Sequence, residues 1–269
     1  MLRNAAFYIL CVYAVPQPTY CGGNGLKILF LDLETSPMTA HTWGLWQQNV
    51  SIQQILESTE VMCFGARWYG TRKVIFKSVH HDGKEGMLRV LHDLMNEADV
   101  LVGWNSAQFD HKHIKREFLE AGLLPPSPAK DVDLMRVAKQ NFRFPSYKLD
   151  YVSQRLGVGA KVKHSGFDLW IKCMAGDDKA WREMKRYQLQ DVNLLVDLFE
   201  KFLPWIKGLN VPAFVGDDDI ACTNCGGHDI KRRGYEVLVS GKYQKFQCNG
   251  CGKWLRAKSV VTATALRGI

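Results

Sequence analysis

The chain has 269 residues, of which 46% are hydrophobic and 23% are charged; this is ample for a sizeable core and suggests one medium domain with a smaller one, or two domains. The net charge of +8 is uneven, because residues 220–269 hold nine Lys and Arg against two acids while residues 1–219 are near neutral. Eight cysteines, four of them in two C-x2-C pairs and the rest scattered, exclude a disulfide framework and indicate a reducing compartment.

Residues 1–25 precede the first predicted strand. Arg3 is followed by an apolar stretch from Ala5 to Val15, which is too short to span a bilayer. The segment has the outline of a signal peptide with a weak cleavage site at Val12-Tyr13-Ala14, so secretion is one alternative. We expect instead an N-terminal appendage outside the fold of a cytoplasmic protein (in the host cytoplasm if the gene is viral), with no membrane partner.

The run from Ile28 to Thr35 is apolar and ends in two acids, Asp32 and Glu34. Gly25 before it and Ser36-Pro37 after it predict a buried central strand. Side chains at i and i+2 of a strand share a face, so the two carboxylates would repel each other and resist desolvation. A divalent cation relieves both problems because hard cations prefer carboxylate oxygen. A pair of solvated acids is the alternative.

The elements that follow are read from apolar periodicity. Two strand-like runs form a predicted hairpin extending the first strand: Val61 to Tyr69 and Lys73 to Val79. A short buried strand, Val100 to Gly103, is also predicted. Predicted helices are Lys84 to Glu97, His111 to Ala121, Val132 to Gln140, Leu149 to Leu156 and Asp177 to Phe202. Strands first, then alternating strand and helix, indicate an α/β layered fold with a mixed sheet.

Two further acids fall at element positions suited to chemistry. Asp110 begins a helix after a buried strand, where a first-turn acid also complements the helix dipole. Asp191 lies four residues after Tyr187 in the long helix, so both side chains share one face. Taken singly, a half-buried core tyrosine and a solvated carboxylate explain Tyr187 and Asp191 equally well.

Taken in order, the acid pair of the first strand, Asn105-x4-Asp110 and Tyr187-x3-Asp191 resemble the motifs of the 3′–5′ exonucleases of the DEDD superfamily. The resemblance is to the tyrosine-type (DEDDy) branch, and in particular to the proofreading exonuclease domain of family B DNA polymerases. Ser146-Tyr147-Lys148-Leu149 is similar to a segment between the second and third motifs. The histidine-type branch needs His where Arg186 stands, and His164 is expected to be a loop or structural residue.

The resemblance covers about residues 26–205 and implies a ribonuclease H-like fold, a mixed five-stranded sheet flanked by helices, over residues 26–210. It implies two catalytic Mg²⁺ or Mn²⁺ ions. Asp32, Glu34 and Asp191 would hold the ion that activates water, Asp32 and Asp110 would hold the second, and Tyr187 would orient the water. Since no polymerase domain follows in the sequence, a free-standing exonuclease of the kind found in bacteriophage genomes is expected.

The same resemblance suggests substrate-binding residues. Asn105 and Phe109 would seat the 3′-terminal nucleotides, and Lys148 would contact the substrate from the intervening segment. Asp150 and Asp197 match no motif and are predicted to be surface residues.

The basic C-terminal segment carries a zinc-binding pattern. Two C-x2-C pairs, each followed by Gly, are separated by 22 residues that contain a predicted hairpin. The ligands would be Cys222, Cys225, Cys248 and Cys251. The pattern predicts a zinc ribbon over residues 217–262 with one structural Zn²⁺, since four cysteines leave no open position for catalysis.

Aromatic and cationic residues alternate in the predicted ribbon, and Lys242, Lys245 and Trp254 are candidates for nucleic-acid binding. The alternatives are that the aromatic residues form the small core, or that the ribbon binds a protein such as a DNA polymerase or another replication protein. A basic segment favours a polyanionic partner, most simply nucleic acid, with an ordinary solvated surface as the alternative.

The sequence therefore predicts a metal-dependent exonuclease that releases nucleoside 5′-monophosphates from 3′ ends, with single-stranded DNA favoured over RNA. Two alternatives stay open. One is a non-catalytic module on the same scaffold that binds nucleic acid or a replication protein. The other is a structure-selective endonuclease or RNase. The oligomeric state is not predicted.

Overall fold

A computed structural model describes residues 26–215 and 220–263. The predicted N-terminal appendage and the acidic run Asp217-Asp218-Asp219 at the predicted domain boundary lie outside these ranges. The domain limits of 26–210 and 217–262 remain predictions.

Within residues 26–215 the strands form a mixed five-stranded sheet and a small two-stranded one. In chain order they are β1 (Ile28–Thr35), β2 (Thr39–Ala40), β3 (Ile55–Glu57), β4 (Val61–Trp68), β5 (Ile75–Ser78), β6 (Val100–Gly103) and β7 (Lys130–Asp133). The large sheet has the order β5-β4-β1-β6-β7, in which β1 is antiparallel to β4 and parallel to β6. The predicted central strand and hairpin are therefore found, while β7 was not predicted because its charged sequence suits a sheet edge and lacks an apolar run.

The helices flank the large sheet. They are α1 (Val79–Glu97), α2 (Asp110–Glu120), α3 (Leu134–Asn141), α4 (Leu149–Arg155), α5 (Asp168–Met174), α6 (Asp178–Phe202) and α7 (Val211–Val215). α1 begins five residues before the predicted start, with an initial turn that breaks at Gly83 (φ 70°). α5 was not predicted. None of the helices in the described ranges combines the length and apolar character that crossing a membrane requires.

The two faces of β1 have different neighbours. Leu29, Leu31 and Leu33 pack in the apolar cluster that contains the buried residues of α1 and α2. The alternate residues Ile28 and Phe30 pack in the cluster that contains the buried side of α6. Because strand residues alternate between faces, the acids that continue this second row point toward the α6 side of the sheet.

The position of α6 on the sheet is set by close contacts with β4 and β1. Gly65 pairs with Asp32 across the two strands, and a Cβ atom at Gly65 would lie 2.8 Å from Cγ2 of Val192 and 2.9 Å from Cγ of Gln188. The Gln188 Nε2 group donates a 2.6 Å hydrogen bond to the main-chain carbonyl of Asp32. A helix this close to the sheet requires glycine at position 65, and Gln188 holds the helix in register with Asp32.

The C-terminal ribbon (residues 220–263) contains a three-stranded antiparallel sheet. Its strands are β8 (Ile230–Leu238), β9 (Gly241–Cys248) and β10 (Trp254–Thr262), in the order β10-β9-β8. The first two include the predicted hairpin. β10 was not predicted, because its basic residues interrupt the apolar alternation on which the strand prediction rested.

The ribbon packs on the C-terminal end of α6. The Asn224 side-chain amide donates to the carbonyls of Leu203 and Ile206, and Lys253 Nζ donates to the Ile206 carbonyl at 2.6 Å. These carbonyls follow a helix end, where main-chain acceptors otherwise lack partners. Three ribbon cysteines belong to the same apolar cluster as the end of α6: Cys222, Cys248 and Cys251.

Candidate active site

Three predicted carboxylates meet beside the sheet. Asp32 and Glu34 project from β1, and Asp191 approaches from the buried face of α6. One carboxylate oxygen from each lies within 4.8 Å of the others. The central strand and the long helix, which are far apart in sequence, thus bring their acids together through the contact between α6 and β1.

Asp110 is the fourth acid and stands at the first position of α2. Its side chain is buried, and its Oδ1 accepts a 3.2 Å hydrogen bond from the main-chain N–H of Leu33. This bond ties the start of α2 to the stretch of β1 between Asp32 and Glu34. The negative charge of Asp110 contributes to the raised pKa values of both β1 acids, so the four acids form one electrostatic cluster.

Asp32, Glu34 and Asp110 line a cleft of about 460 Å³. Three residues predicted to bind the substrate line the same cleft: Asn105, Phe109 and Lys148. Asn105 has φ 63°, and its main-chain N–H donates to Asp133 at 2.9 Å, which fixes the turn after β6. The side chain of Phe109 is 38% exposed, so its ring is available for contact at the cleft wall.

Burial and mutual repulsion disfavour ionisation of these acids. Burial raises the pKa of Asp32 well above its ordinary value, and the charges of Asp110, Asp191 and Glu34 add to this. Burial also raises the pKa of Glu34 to about 7 and the pKa of Asp110 to about 7. The pKa of Asp191 is raised by burial despite the opposing charge of Lys161. At neutral pH the cluster must therefore retain protons or gain positive charge.

The donor set fits a hard divalent cation. Oδ1 of Asp191 is buried and makes no hydrogen bond within the described residues, although a buried carboxylate oxygen ordinarily has a partner. The possible metal ligands grouped with it are carboxylate oxygens of Asp32 and Glu34, the ligand type that Mg²⁺ and Mn²⁺ prefer. The residues present would therefore accommodate the cations that the sequence resemblance implies.

Lys161 is part of the site and was missed by the sequence analysis. Its Nζ atom lies 2.5 Å from Oδ2 of Asp191 and 2.9 Å from the hydroxyl of Tyr187. The main-chain N–H of Lys161 donates to Asp150 at 2.8 Å, so the loop before α5 is held against α4.

The two acids that match no motif lie in different places. Asp150, expected to be a surface residue, lines the cleft and helps to hold this loop. Asp197 is exposed on α6.

Tyr187 is buried in an aromatic cluster. The ring of His164 lies 4.9 Å from its ring by centroids, and that of Trp170 lies 6.3 Å away. A hydrogen bond from Trp170 lowers the pKa of Glu34 against the effect of burial. His164 does lie in a loop, as expected, but it also contacts the tyrosine. No short motif marks His164 or Trp170, so their proximity depends on the folded loop.

The four ribbon cysteines form a second candidate metal site. One Sγ atom from each lies within 4.8 Å of the others, and the Sγ atoms of Cys222 and Cys251 are 3.6 Å apart. A disulfide would bring two sulfurs to about 2.05 Å. Four thiolates at this separation fit a tetrahedral Zn²⁺ with no open position, which is consistent with the predicted zinc ribbon.

The predicted nucleic-acid residues of the ribbon are divided between the two faces of its sheet. Lys245 and Trp254 share a face, with Lys245 Nζ 5.6 Å from the centre of the indole. Lys242 is an odd number of residues from Lys245 on β9 and so projects from the other face, where its Nζ lies 4.1 Å from the centre of the Tyr235 ring.

The comparisons with known proteins agree with this fold. A family model described as the RNase_H superfamily matches residues 29–203, and the predicted fold class is confirmed. The chain is similar in structure to the family B DNA polymerase from the hyperthermophilic archaeon Pyrobaculum calidifontis, with a TM-score of 0.52 and 17% sequence identity. The alignment covers 82% of this chain and 32% of the polymerase, so the chain spans about a third of its length. No curated protein matches the chain by sequence.

Proposed function

Because the chain belongs to the RNase_H superfamily, we propose that it is a metal-dependent 3′–5′ exonuclease of the tyrosine-type DEDD kind. It hydrolyses phosphodiester bonds at the 3′ end of nucleic acid, with single-stranded DNA favoured, and releases nucleoside 5′-monophosphates. The observation that carries the proposal is the convergence of four acids and Tyr187, contributed by β1, α2 and α6, on a single region of the fold. A scaffold without chemistry would have no need to bury so much like charge.

The similarity to a family B DNA polymerase supports the proposal at the level of the fold. The chain corresponds to about a third of that polymerase, and the motif resemblance falls on the proofreading exonuclease domain of such enzymes. A replication protein is a candidate partner.

Two divalent cations would be held by the acidic cluster. Asp32, Glu34 and Asp191 would hold one, and Asp32 with Asp110 would hold the other. When bound, such a pair supplies an activated water nucleophile and neutralises charge on the leaving oxygen. The acids would hold these cations beside the end of β1, next to the cleft.

Tyr187 and Lys161 help to position the attacking water and the phosphate. Burial raises the pKa of the Tyr187 hydroxyl above its ordinary value, so the tyrosine stays protonated at neutral pH and is a hydrogen-bond donor rather than a base. Lys161 donates to the oxygen of this hydroxyl, and a hydrogen bond from Tyr187 lowers the pKa of Asp191. When substrate is bound, the phenolic proton can be donated instead to the attacking water or a phosphate oxygen. Both groups are held by several contacts, which is what orienting a nucleophile requires.

The walls of the cleft suit a single strand. Phe109 offers an exposed ring on which a terminal base can stack, Asn105 offers a side-chain amide beside it, and Lys148 offers a cation for a phosphate. Asp110 and Asp191 are buried, so a duplex terminus would have to separate before its 3′ end could reach them. This supports the preference for single strands, whereas the preference for DNA over RNA rests on the resemblance alone.

The test is digestion of end-labelled oligonucleotides by the full-length protein in Mg²⁺ and in Mn²⁺. Single-stranded DNA and RNA of matched sequence are compared, each free or blocked at the 3′ or the 5′ end. We expect stepwise shortening that a 3′ block stops and a 5′ block does not. The Asp32→Asn variant should lose hydrolysis, while Asp197→Asn, an exposed acid on α6, should keep it.

Two other outcomes would replace the proposal. Internal cuts that are unaffected by either block would indicate an endonuclease on the same fold. A wild-type protein that binds the oligonucleotides but is inert with both metals would indicate the non-catalytic binding module.

A further inference from the structure

The ribbon presents a surface on which cations and aromatic rings alternate. On β9, Tyr243 and Lys245 point to the same side. Arg256 of β10 pairs directly with Lys245, and Trp254 pairs with Gln247, so their side chains lie on that side too. We call the surface formed by Tyr243, Lys245, Trp254 and Arg256 the cation–aromatic face.

The rings of this face are not the core of the ribbon. Leu255 and Ile230, which alternate onto the opposite face, pack against the apolar cluster that includes the end of α6. Trp254 is 53% exposed. Its ring faces Lys245, and the Tyr243 ring lies 4.9 Å from the Arg256 guanidinium. The exposed ring of Trp254 therefore remains available to a ligand, while the neighbouring cations supply charge and Tyr243 is half-buried.

A cleft of about 860 Å³ joins this face to the segment that follows α6. Its lining residues are three cations, one aromatic residue, one acid and Leu255, whose side chain turns to the other face: Lys207, Lys245, Arg256, Trp254, Glu236 and Leu255. Oε2 of Glu236 lies 3.5 Å from Nη1 of Arg256, and both side chains are more than 40% exposed. The ion pair is therefore weak, and a phosphate can replace Glu236 as the partner of Arg256. The cleft therefore keeps a positive balance suited to phosphate groups.

A hydrogen bond between the ribbon and the segment after α6 fixes the position of this cleft relative to the acidic cluster. Lys253, next to Trp254, donates to the carbonyl of Ile206, next to Lys207. From Asp191 to the end of α6 at Phe202 there are 11 residues, or roughly 16 Å at the helical rise. A stacked strand of about five nucleotides covers such a distance at about 3.4 Å per nucleotide.

We infer that the cation–aromatic face, together with Lys207, is a second binding site for single-stranded nucleic acid that holds the strand on the 5′ side of the terminus being cut. This inference rests on the proposed exonuclease function for the direction of the strand, but the binding site itself does not depend on catalysis. Phosphates bind Lys207, Lys245 and Arg256, and a base stacks on Trp254. Lys242, on the opposite face, is outside this site.

The test measures binding of fluorescent oligo-dT of 20 and of 4 nucleotides by anisotropy at several salt concentrations, with the Asp32→Asn full-length protein. Trp254→Ala should weaken binding of the 20-mer by about tenfold, as loss of one stacked base does. Lys245→Ala with Arg256→Ala should weaken it and lower the salt slope by about 1.4, at about 0.7 per phosphate contact of a single strand. The 4-mer, which is too short to span this face and the acidic cluster together, should bind the wild-type protein more weakly than the 20-mer. The matched control is Arg232→Ala with Lys242→Ala, which removes two exposed cations from the opposite face of the same sheet.

The inference would be overturned if the control on the opposite face weakened binding as much as Lys245→Ala with Arg256→Ala. It would also be overturned if the Lys245 and Arg256 changes left the Kd and the salt slope as in the parent protein. Either result would leave this face to an acidic protein partner. Trp254→Phe, which keeps an aromatic ring, should retain most of the binding, and this separates stacking from a folding defect. Failure of the exonuclease proposal has a different signature, since no oligonucleotide of any length would then be hydrolysed by the wild-type protein while these binding differences persist.

Discussion

The ammonium group of Lys161 lies 2.5 Å from Oδ2 of Asp191 and so engages one of the two carboxylate oxygens at the centre of the acidic cluster. The other oxygen, Oδ1, is buried and has no hydrogen-bond partner among the described residues. Asp191 is thus held by one oxygen and available for a cation through the other. The same lysine reaches Tyr187, which joins both residues of the third motif to the loop before α5.

Replacement of Lys161 by methionine should lower turnover by about 10- to 100-fold, the usual cost of removing a group that orients a metal ligand. The concentration of Mg²⁺ for half-maximal activity should change as well, because Asp191 loses the contact that orients it. Lys163→Met, an exposed lysine in the same loop, is the matched control. A Lys161→Met enzyme with wild-type kcat and metal dependence would contradict the assigned role.

Gly65→Ala should destabilise the protein by about 1–3 kcal/mol, as overpacking does, and should reduce activity. The added methyl group would meet Val192 and Gln188 at less than 3 Å, so α6 must move away from β1. The measurements are urea unfolding and the rate of digestion at saturating substrate.

Gly86→Ala is the control for this prediction. Gly86 lies in α1, where an added Cβ meets no neighbour closer than 4.0 Å, and the change should stabilise the protein by about 0.5–1 kcal/mol through helix propensity. If both alanine variants behaved alike, the close approach of α6 to β4 would not be a requirement of the fold.

The metal-free protein should lose stability as the pH rises from about 4 to about 7. Burial raises the pKa of Glu34 and of Asp110 to about 7, against about 4 in the unfolded chain. Between these values the folded state binds more protons than the unfolded state, so the free energy of unfolding falls with increasing pH. The raised pKa of Lys161 acts only above pH 10 and leaves this window unchanged.

Thermal unfolding at pH 5 and at pH 8, with and without Mg²⁺, measures this effect. Mg²⁺ should raise the Tm more at pH 8, where the acids are ionised and able to bind it, than at pH 5. Glu34→Gln removes one titrating group and should flatten the pH dependence of the metal-free protein. A Tm that increases from pH 5 to pH 8 without metal, and that Glu34→Gln leaves unchanged, would refute the explanation.

We predict that the four ribbon cysteines hold Zn²⁺, and that removal of this metal by a chelator loosens the end of α6 as well as the ribbon itself. Asn224 and Lys253 hold the carbonyls of Leu203 and Ile206, and the knuckles that carry them depend on the metal. Hydrogen exchange near residues 198–206 should speed up by about tenfold or more, the equivalent of one lost hydrogen bond to a buried acceptor. Met87 to Met95 of α1, on the far side of the sheet, provide an internal control. Equal protection of the α6 end with and without zinc would show that the ribbon is an independent unit.

The parts of the fold and of the site that depend on local periodicity could be predicted from the sequence. Alternation in β1 puts Asp32 and Glu34 on one face, the helical repeat puts Tyr187 and Asp191 on another, and paired C-x2-C spacing indicates four thiolates around one metal. The edge strand β7, the helix α5 and the basic strand β10 escaped prediction. Their sequences lack apolar periodicity, and pairing or packing with distant residues stabilises them.

The sequence by itself determined which side chains share a face within each element, because backbone geometry repeats every 2 residues in a strand and every 3.6 in a helix. Only the tertiary structure decided which faces meet. It brought Lys161 to Asp191, made Gly65 the point where α6 approaches the sheet, and separated Lys242 from Lys245. Contacts of this kind join residues that no local repeat relates, since they arise from the packing of whole elements against one another.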